Sequence, residues 1–217
     1  MRIKICCIAS PEEAQIATDA GAELLGLVGP MPSGPGILNY EAAAKIARAA
    51  PSKAKPILLT STQTAEGIIA DAERVGVSHV QVVRHIDPRE ALKLAASNLT
   101  YFQVIHVEDN SALDLIDVYG PHCEAFLLDS GKPSQNTLGG TGSTHDWNIS
   151  ARFVARAQIP TFLAGGLKPG NVTEAIRQVR PDGVDICSGV RRNGKLDQTL
   201  LNAFVQAIRS VSQNALP

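Results

Sequence analysis

Apolar residues in this chain fall into short unbroken runs, separated by stretches where they recur every three or four positions. Runs of four to eight read as strands buried on both faces, and the spaced stretches as amphipathic helices. The first pair is a strand over Ile3–Ile8 and a helix with Ser10 at its N-cap, Pro11 in its first turn and Gly21 at its end. The pattern then repeats. Strands are predicted over Leu24–Val28, Lys55–Thr60, His79–Val83, Tyr101–Val107, Ala125–Asp129, Pro160–Ala164 and Gly183–Gly189. Helices are predicted over Tyr40–Ala50, Ala65–Val75, Pro88–Ala96, Ser111–Tyr119 and Asn148–Ala157. Another opens at Pro169 and Asn171 and carries Val172, Ala175, Ile176 and Val179, and the last covers Leu196–Val211.

Strict alternation of strand and helix implies parallel strands joined by right-handed crossovers. Eight such units with no composition break predict one domain over residues 1–217, an α/β chain closed into a (β/α)₈ TIM barrel. An open doubly wound sheet is the alternative, but no G-x-G-x-x-G follows the first strand.

Composition narrows the function. A net charge of −1 offers no electrostatic footing for nucleic acid or an anionic membrane, and nine aromatic residues make a poor base-stacking platform. No apolar run approaches the ~20 residues that span a bilayer, and the apolar run at the N-terminus is too short for a signal peptide. Cys6, Cys7, Cys123 and Cys187 have no zinc-ligand spacing and read as reduced thiols of a cytoplasmic protein. Neither a metal nor an organic cofactor is expected.

In a barrel of this kind functional groups sit at the C-terminal ends of strands and in the loops that follow. The candidates are Cys6 and Cys7, the loop 29–40, Thr60, Arg84 and His85, His106, Asp129, residues 140–144, Gly165-Gly166, Asp185 and Ser188-Gly189. Two consecutive strands ending on glycines, Gly165-Gly166 and Gly189, suit a phosphate, because glycine lets backbone N–H groups approach an anion. Each candidate also has a plainer reading. A cysteine in an apolar strand is usually a small core residue, and Asp129 would equally cap the loop behind it.

Several segments resemble the phosphoribosylanthranilate isomerase family. They are IKIC followed by a Pro-Glu helix start (3–12), DAGAELLGLV (19–28), LLDS (127–130), GGTGSTHDW (139–147), AGGLKPGNVTEAI (164–176) and RPDGVDICSGV (180–190). The resemblance implies an Amadori rearrangement of a ribosylamine phosphate in tryptophan biosynthesis. It makes Cys6 the general base and Asp129 the general acid. Gly140, Thr141, Gly142, Gly165, Gly166, Ser188 and Gly189 then belong to the sugar-phosphate pocket, and Asp185 lies near the ribose hydroxyls. The expected partner is a small phosphosugar, with no nucleic acid or membrane, and the chain is expected to be a monomer or homodimer.

The chain departs from the family at four places. Cys7 stands where the family has glycine. The loop MPSGPGIL (31–38) lacks the family's arginine, which lies close to the anthranilate carboxylate. QVVRH (81–85) replaces Q-L-H-G, so Arg84 is a candidate substitute contact, and SGVRR puts Arg191 and Arg192 beside the expected phosphate. The alternatives are a paralogue acting as isomerase or lyase on another phosphosugar, and a non-catalytic phosphosugar-binding barrel.

Overall fold

In a computed structural model, which describes residues 1–131 and 142–213, the chain closes eight parallel strands into a barrel in the order β1 to β8. The strands are β1 (Arg2–Ile5), β2 (Leu24–Val28), β3 (Lys55–Thr60), β4 (His79–Val82), β5 (Thr100–His106), β6 (Ala125–Asp129), β7 (Thr161–Leu163) and β8 (Gly183–Ile186). Closure is made by β1 on β8, with Lys4 opposite Asp185. The helices between them are α1 (Pro11–Ala20), α2 (Tyr40–Ala49), α3 (Ala65–Val75), α4 (Pro88–Ala95), α5 (Leu115–Tyr119), α6 (Trp147–Arg156) and α7 (Val172–Val179), and α8 (Gln198–Gln213) ends the described chain. Among the described residues no helix is long and apolar enough to cross a membrane.

Local chemistry sets the helix ends. The Ser10 hydroxyl accepts from the Glu13 N–H at 3.2 Å, and Gly21 ends α1 at φ 110°. Asn39, Thr64 and Asp87 cap α2, α3 and α4 in the same way, each cap being worth about 1 kcal/mol.

The apolar residues divide into two layers. One lies between the barrel and its helices and includes Ile5, Leu25, Leu58, Phe126, Phe153 and Phe204. The other fills the barrel interior with Leu24, Ile57, Phe102, Leu127 and Phe162. At the N-terminal end of the strands the Phe102 and Phe162 rings pack 5.6 Å apart. Gly183 makes room for that ring, since a Cβ there would lie 2.4 Å from Phe162. Burying each such ring contributes roughly 2–3 kcal/mol. Toward the other end the interior turns polar, with Lys4, Gln81 and Asp185 all buried.

The sequence-based segments match these elements to within a few residues, with two differences. The predicted helix over Ser111–Tyr119 begins as a 3₁₀ turn over Asn110–Asp114. The segment after β8 forms a hairpin of β9 (Arg191–Arg192) and β10 (Lys195–Leu196) before α8 begins. Asn193 and Gly194 occupy its turn at φ 51° and 77°, which is why an Asn-Gly pair marks a tight hairpin.

Candidate active site

Side chains alternate along β1, so Lys4 and Cys6 both point into the barrel while Ile3 and Ile5 face the helices. Room for them comes from Gly26 on β2. A Cβ at Gly26 would lie 2.9 Å from Cys6 Sγ and 3.2 Å from Lys4 Nζ. Lys4 is wholly buried, with Nζ 3.0 Å from Asp185 Oδ1. Burial works against the Lys4 charge, but Asp185 together with Cys6 and Cys7 outweighs it and holds the ammonium above its ordinary pKa. Burial pushes the Asp185 carboxyl up, against the pull of Lys4, and nearby Asp129 adds to the rise.

Cys7 adopts φ 61°, in the left-handed region, which costs a side-chain-bearing residue about 1–2 kcal/mol and glycine almost nothing. The thiol sits under the β2–α2 loop, with Sγ 3.6 Å from the Pro35 carbonyl. Cys7 and the nearby Arg191 guanidinium, against burial, draw the neighbouring Cys187 thiol below its ordinary pKa. The neighbouring Cys187 and Cys6 thiols, together with burial, push the Cys7 thiol well up. All four cysteines are free thiols, and Cys6, Cys7 and Cys187 share one cavity wall.

Arg191 is no solvated charge: its side chain is largely buried and paired within the protein. Its guanidinium donates to both Glu13 carboxylate oxygens at 3.1 and 3.0 Å, to the Cys6 carbonyl at 3.3 Å and to the Cys7 carbonyl. It therefore clamps the turn that follows β1. Arg192 pairs with Asp197 at 3.1 Å on the surface.

Asp129 ends β6, with Oδ1 accepting from the Ser130 N–H at 2.7 Å. The local bond expected of a loop-capping aspartate is therefore present, yet the residue also faces the cavity. His145 lies close enough for the Asp129 charge to favour its protonated form, although burial dominates and lowers its pKa; its Nε2 is 2.7 Å from Ser150 Oγ. Across β7, Gly165 and Gly166 both have positive φ, 77° and 61°. A Cβ at Gly165 would lie 2.9 Å from the Ser130 nitrogen, and one at Gly166 would lie 2.5 Å from the Ser143 carbonyl carbon. These two glycines let the β6–α6 and β7–α7 loops close on each other.

A cavity opens at the C-terminal end of the strands. Cys6, Asp129, Gly142, Gly165, Gly166, Asp185 and Ser188 all line it. Gly140 and Thr141 lie outside the described residues. Gly189 is not among the lining residues. A Cβ there would lie 2.1 Å from the Leu167 carbonyl oxygen, so its part is to let the last two strand-end turns pack. Arg84 does not line the cavity either. Val83 faces inward, Arg84 follows on the other side of the chain, and its carbonyl accepts from Gln103 Nε2 at 2.9 Å.

Sequence reasoning missed Lys4, Gly26 and Gln81. Gln81 lines the cavity from β4, 3% exposed, with its Oε1 lacking a protein partner. A lysine inside an apolar strand and a lone glycine inside another were the available signals. No group of three or more His, Cys, Asp or Glu among the described residues is arranged to hold a metal ion.

Comparison with known proteins agrees with this geometry. The sequence model of N-(5'-phosphoribosyl)anthranilate isomerase matches residues 3–207. The chain is 34% identical to N-(5'-phosphoribosyl)anthranilate isomerase 2 of Methanosarcina mazei over 214 residues, covering 97% of this chain and 95% of that one. Phosphoribosyl anthranilate isomerase from Thermotoga maritima superposes with a TM-score of 0.84 at 26% identity, covering 97% of this chain and 99% of that one. A phosphoribosyl anthranilate isomerase solved with reduced 1-(o-carboxyphenylamino)-1-deoxyribulose 5-phosphate superposes at 0.81, with 26% identity and the same coverage. A barrel closed in this order, a cysteine and an aspartate on one cavity, and similarity along nearly its whole length place the chain in the phosphoribosylanthranilate isomerase family.

Proposed function

We propose that this protein isomerises N-(5'-phosphoribosyl)anthranilate to the corresponding 1-amino-1-deoxyribulose 5-phosphate, a step of tryptophan biosynthesis. The observation that carries the residue assignment is that Cys6, at the end of β1, and Asp129, at the end of β6, face one cavity three strands apart around the ring. Between them lie the glycine turns of β7 and β8.

In the reaction Asp129 donates its proton to the furanose ring oxygen, and the bond from that oxygen to C1 breaks to give an iminium. The Cys6 thiolate then removes the proton from C2, and the resulting enolamine tautomerises to the ketose. Ser130 occupies Asp129 Oδ1, which leaves Oδ2 as the acid. An acid and a base on separate strands suit a reaction in which one proton is delivered and another withdrawn at different atoms. Gly142, Gly165, Gly166 and Ser188 cradle the phosphate, which anchors the substrate while C1 and C2 react. Asp185, buried beside Lys4, faces the ribose hydroxyls.

One observation favours a second reading. The cavity wall contributed by the β2–α2 loop is Met31, Ser33, Gly34 and Pro35, with no cation for an aryl carboxylate. A related phosphoribosyl amine lacking that carboxylate would fit this wall equally well. Turnover assays on phosphoribosylanthranilate, generated in the cuvette from anthranilate, separate the two. Consumption of the substrate with the chain's own cysteine and aspartate in place supports the first reading. A folded protein that binds ribose 5-phosphate but leaves phosphoribosylanthranilate unchanged supports the second.

A further inference from the structure

We propose that Lys4 holds Cys6 in its thiolate form, a positioning role in the proton abstraction assigned above to Cys6, on which reading this inference rests. Three observations converge on it. Lys4 and Cys6 are two residues apart on the inward face of β1, and Lys4 Nζ and Cys6 Sγ both lie within 3.2 Å of the point where Gly26 would carry a Cβ. Lys4 is also wholly buried, its charge removed from water. Such a charge is retained only with a partner, and an apolar pair of similar volume would serve stability as well as Lys4 with Asp185. The charge therefore does something an apolar pair would not.

The groups facing Cys6 show what that is. Asp185 and Cys187 approach from the β8 end, Asp129 from β6, and Cys7 follows in the chain. Asp185 opposes a second anion in this space, and Asp129 does so once it has given up its proton. The other nearby cation, Arg191, is committed to Glu13 and to the Cys6 and Cys7 carbonyl oxygens rather than to the thiol. Lys4, paired with Asp185 at 3.0 Å, is the one cation among these groups that also stands beside the thiol, and Asp185 competes with Cys6 for its charge. A neighbouring opposite charge within a few ångströms favours an ionised form by about tenfold or more. Gly26 belongs to the same device, because any side chain there would part the thiol from the ammonium.

The test uses the full chain carrying Cys7→Gly, Cys123→Ala and Cys187→Ala, so that Cys6 is its single thiol. Iodoacetamide alkylation, which consumes thiolate, is followed across pH without substrate, so the outcome is independent of whether the protein turns over phosphoribosylanthranilate. Adding Lys4→Met with Asp185→Asn, which removes both members of the buried pair, is expected to slow alkylation at pH 7 by about tenfold or more. Asp185→Asn alone keeps Lys4 and removes its competitor, and is expected to speed alkylation. A folded Lys4→Met/Asp185→Asn protein that alkylates as fast as its parent would overturn the proposal. Should the double substitution not fold, Asp185→Asn decides alone, and an unchanged or slower rate overturns the inference.

Discussion

A Cβ added at Gly36 would lie 2.8 Å from the Cβ of Cys7. The β2–α2 loop thus closes over the end of β1 because only one of the two positions carries a side chain. Two departures from the family, cysteine for glycine at position 7 and a loop without arginine over 31–38, therefore meet in space. The loop that brings Met31, Ser33, Gly34 and Pro35 to the cavity rests on the Cys7 side chain.

This coupling is measurable. Gly36→Ala is expected to destabilise the protein by about 2 kcal/mol, combining the left-handed backbone with the contact against Cys7. In a Cys7→Gly background the contact disappears, and the same substitution costs about 1 kcal/mol less. Urea unfolding of the four proteins gives the coupling energy, and strictly additive effects would show that the two positions are independent.

The clamp on the β1 turn has a pH signature. Burial would raise the Glu13 carboxyl, but hydrogen bonds from Arg191 and from the Leu196 and Ala9 N–H groups outweigh it and lower its pKa below 4.5. A carboxyl lowered by folding adds stability that is complete above its unfolded pKa and is lost as pH falls through the folded one. Glu13→Gln is therefore expected to flatten the loss of stability below pH 4.5. Arg191→Met, which strands a largely buried carboxylate, is expected to cost about 3 kcal/mol at pH 7. Chemical denaturation at pH 7 and at pH 3.5 checks both.

The glycine turn after β7 makes a binding prediction. A Cβ at Gly166 would meet Ser143 and Thr144 at 2.5–2.7 Å, so Gly166→Ala pushes the β6–α6 loop away from the proposed phosphate cradle. Ribose 5-phosphate binding, followed by calorimetry, is expected to weaken by roughly tenfold to a hundredfold. Unchanged affinity in a folded variant would remove this turn from the phosphate site.

Much of the molecule was legible in the order of its residues. Unbroken apolar runs such as AFLL before Asp129, and glycine-ended helices such as the one closing at Gly21, give the barrel directly, because buried parallel strands and capped helices have local signatures. The cavity residues Cys6, Asp129, Asp185 and Ser188 were found because strand ends in a barrel meet at one place. What escaped depends on contacts between distant segments. Arg191 reaches Glu13 and the β1 turn from 178 residues away, and nothing near either residue announces it. Arg84 was placed in the site on strand proximity, but the side to which a residue turns once a strand has ended is settled by the loop. The β9–β10 hairpin did have a local mark, its Asn-Gly turn.

The central claim is that Cys6 and Asp129 are the base and acid of an isomerase, and steady-state turnover of phosphoribosylanthranilate by wild type, Cys6→Ala and Asp129→Asn tests it most directly. The amide oxygen that Asp129→Asn introduces can still accept from the Ser130 N–H, so that variant keeps its fold and loses only the proton. Turnover in wild type, with kcat reduced by about a hundredfold or more in each variant and the unfolding midpoints little changed, is the expected result. Wild-type turnover that survives either substitution would contradict the assignment.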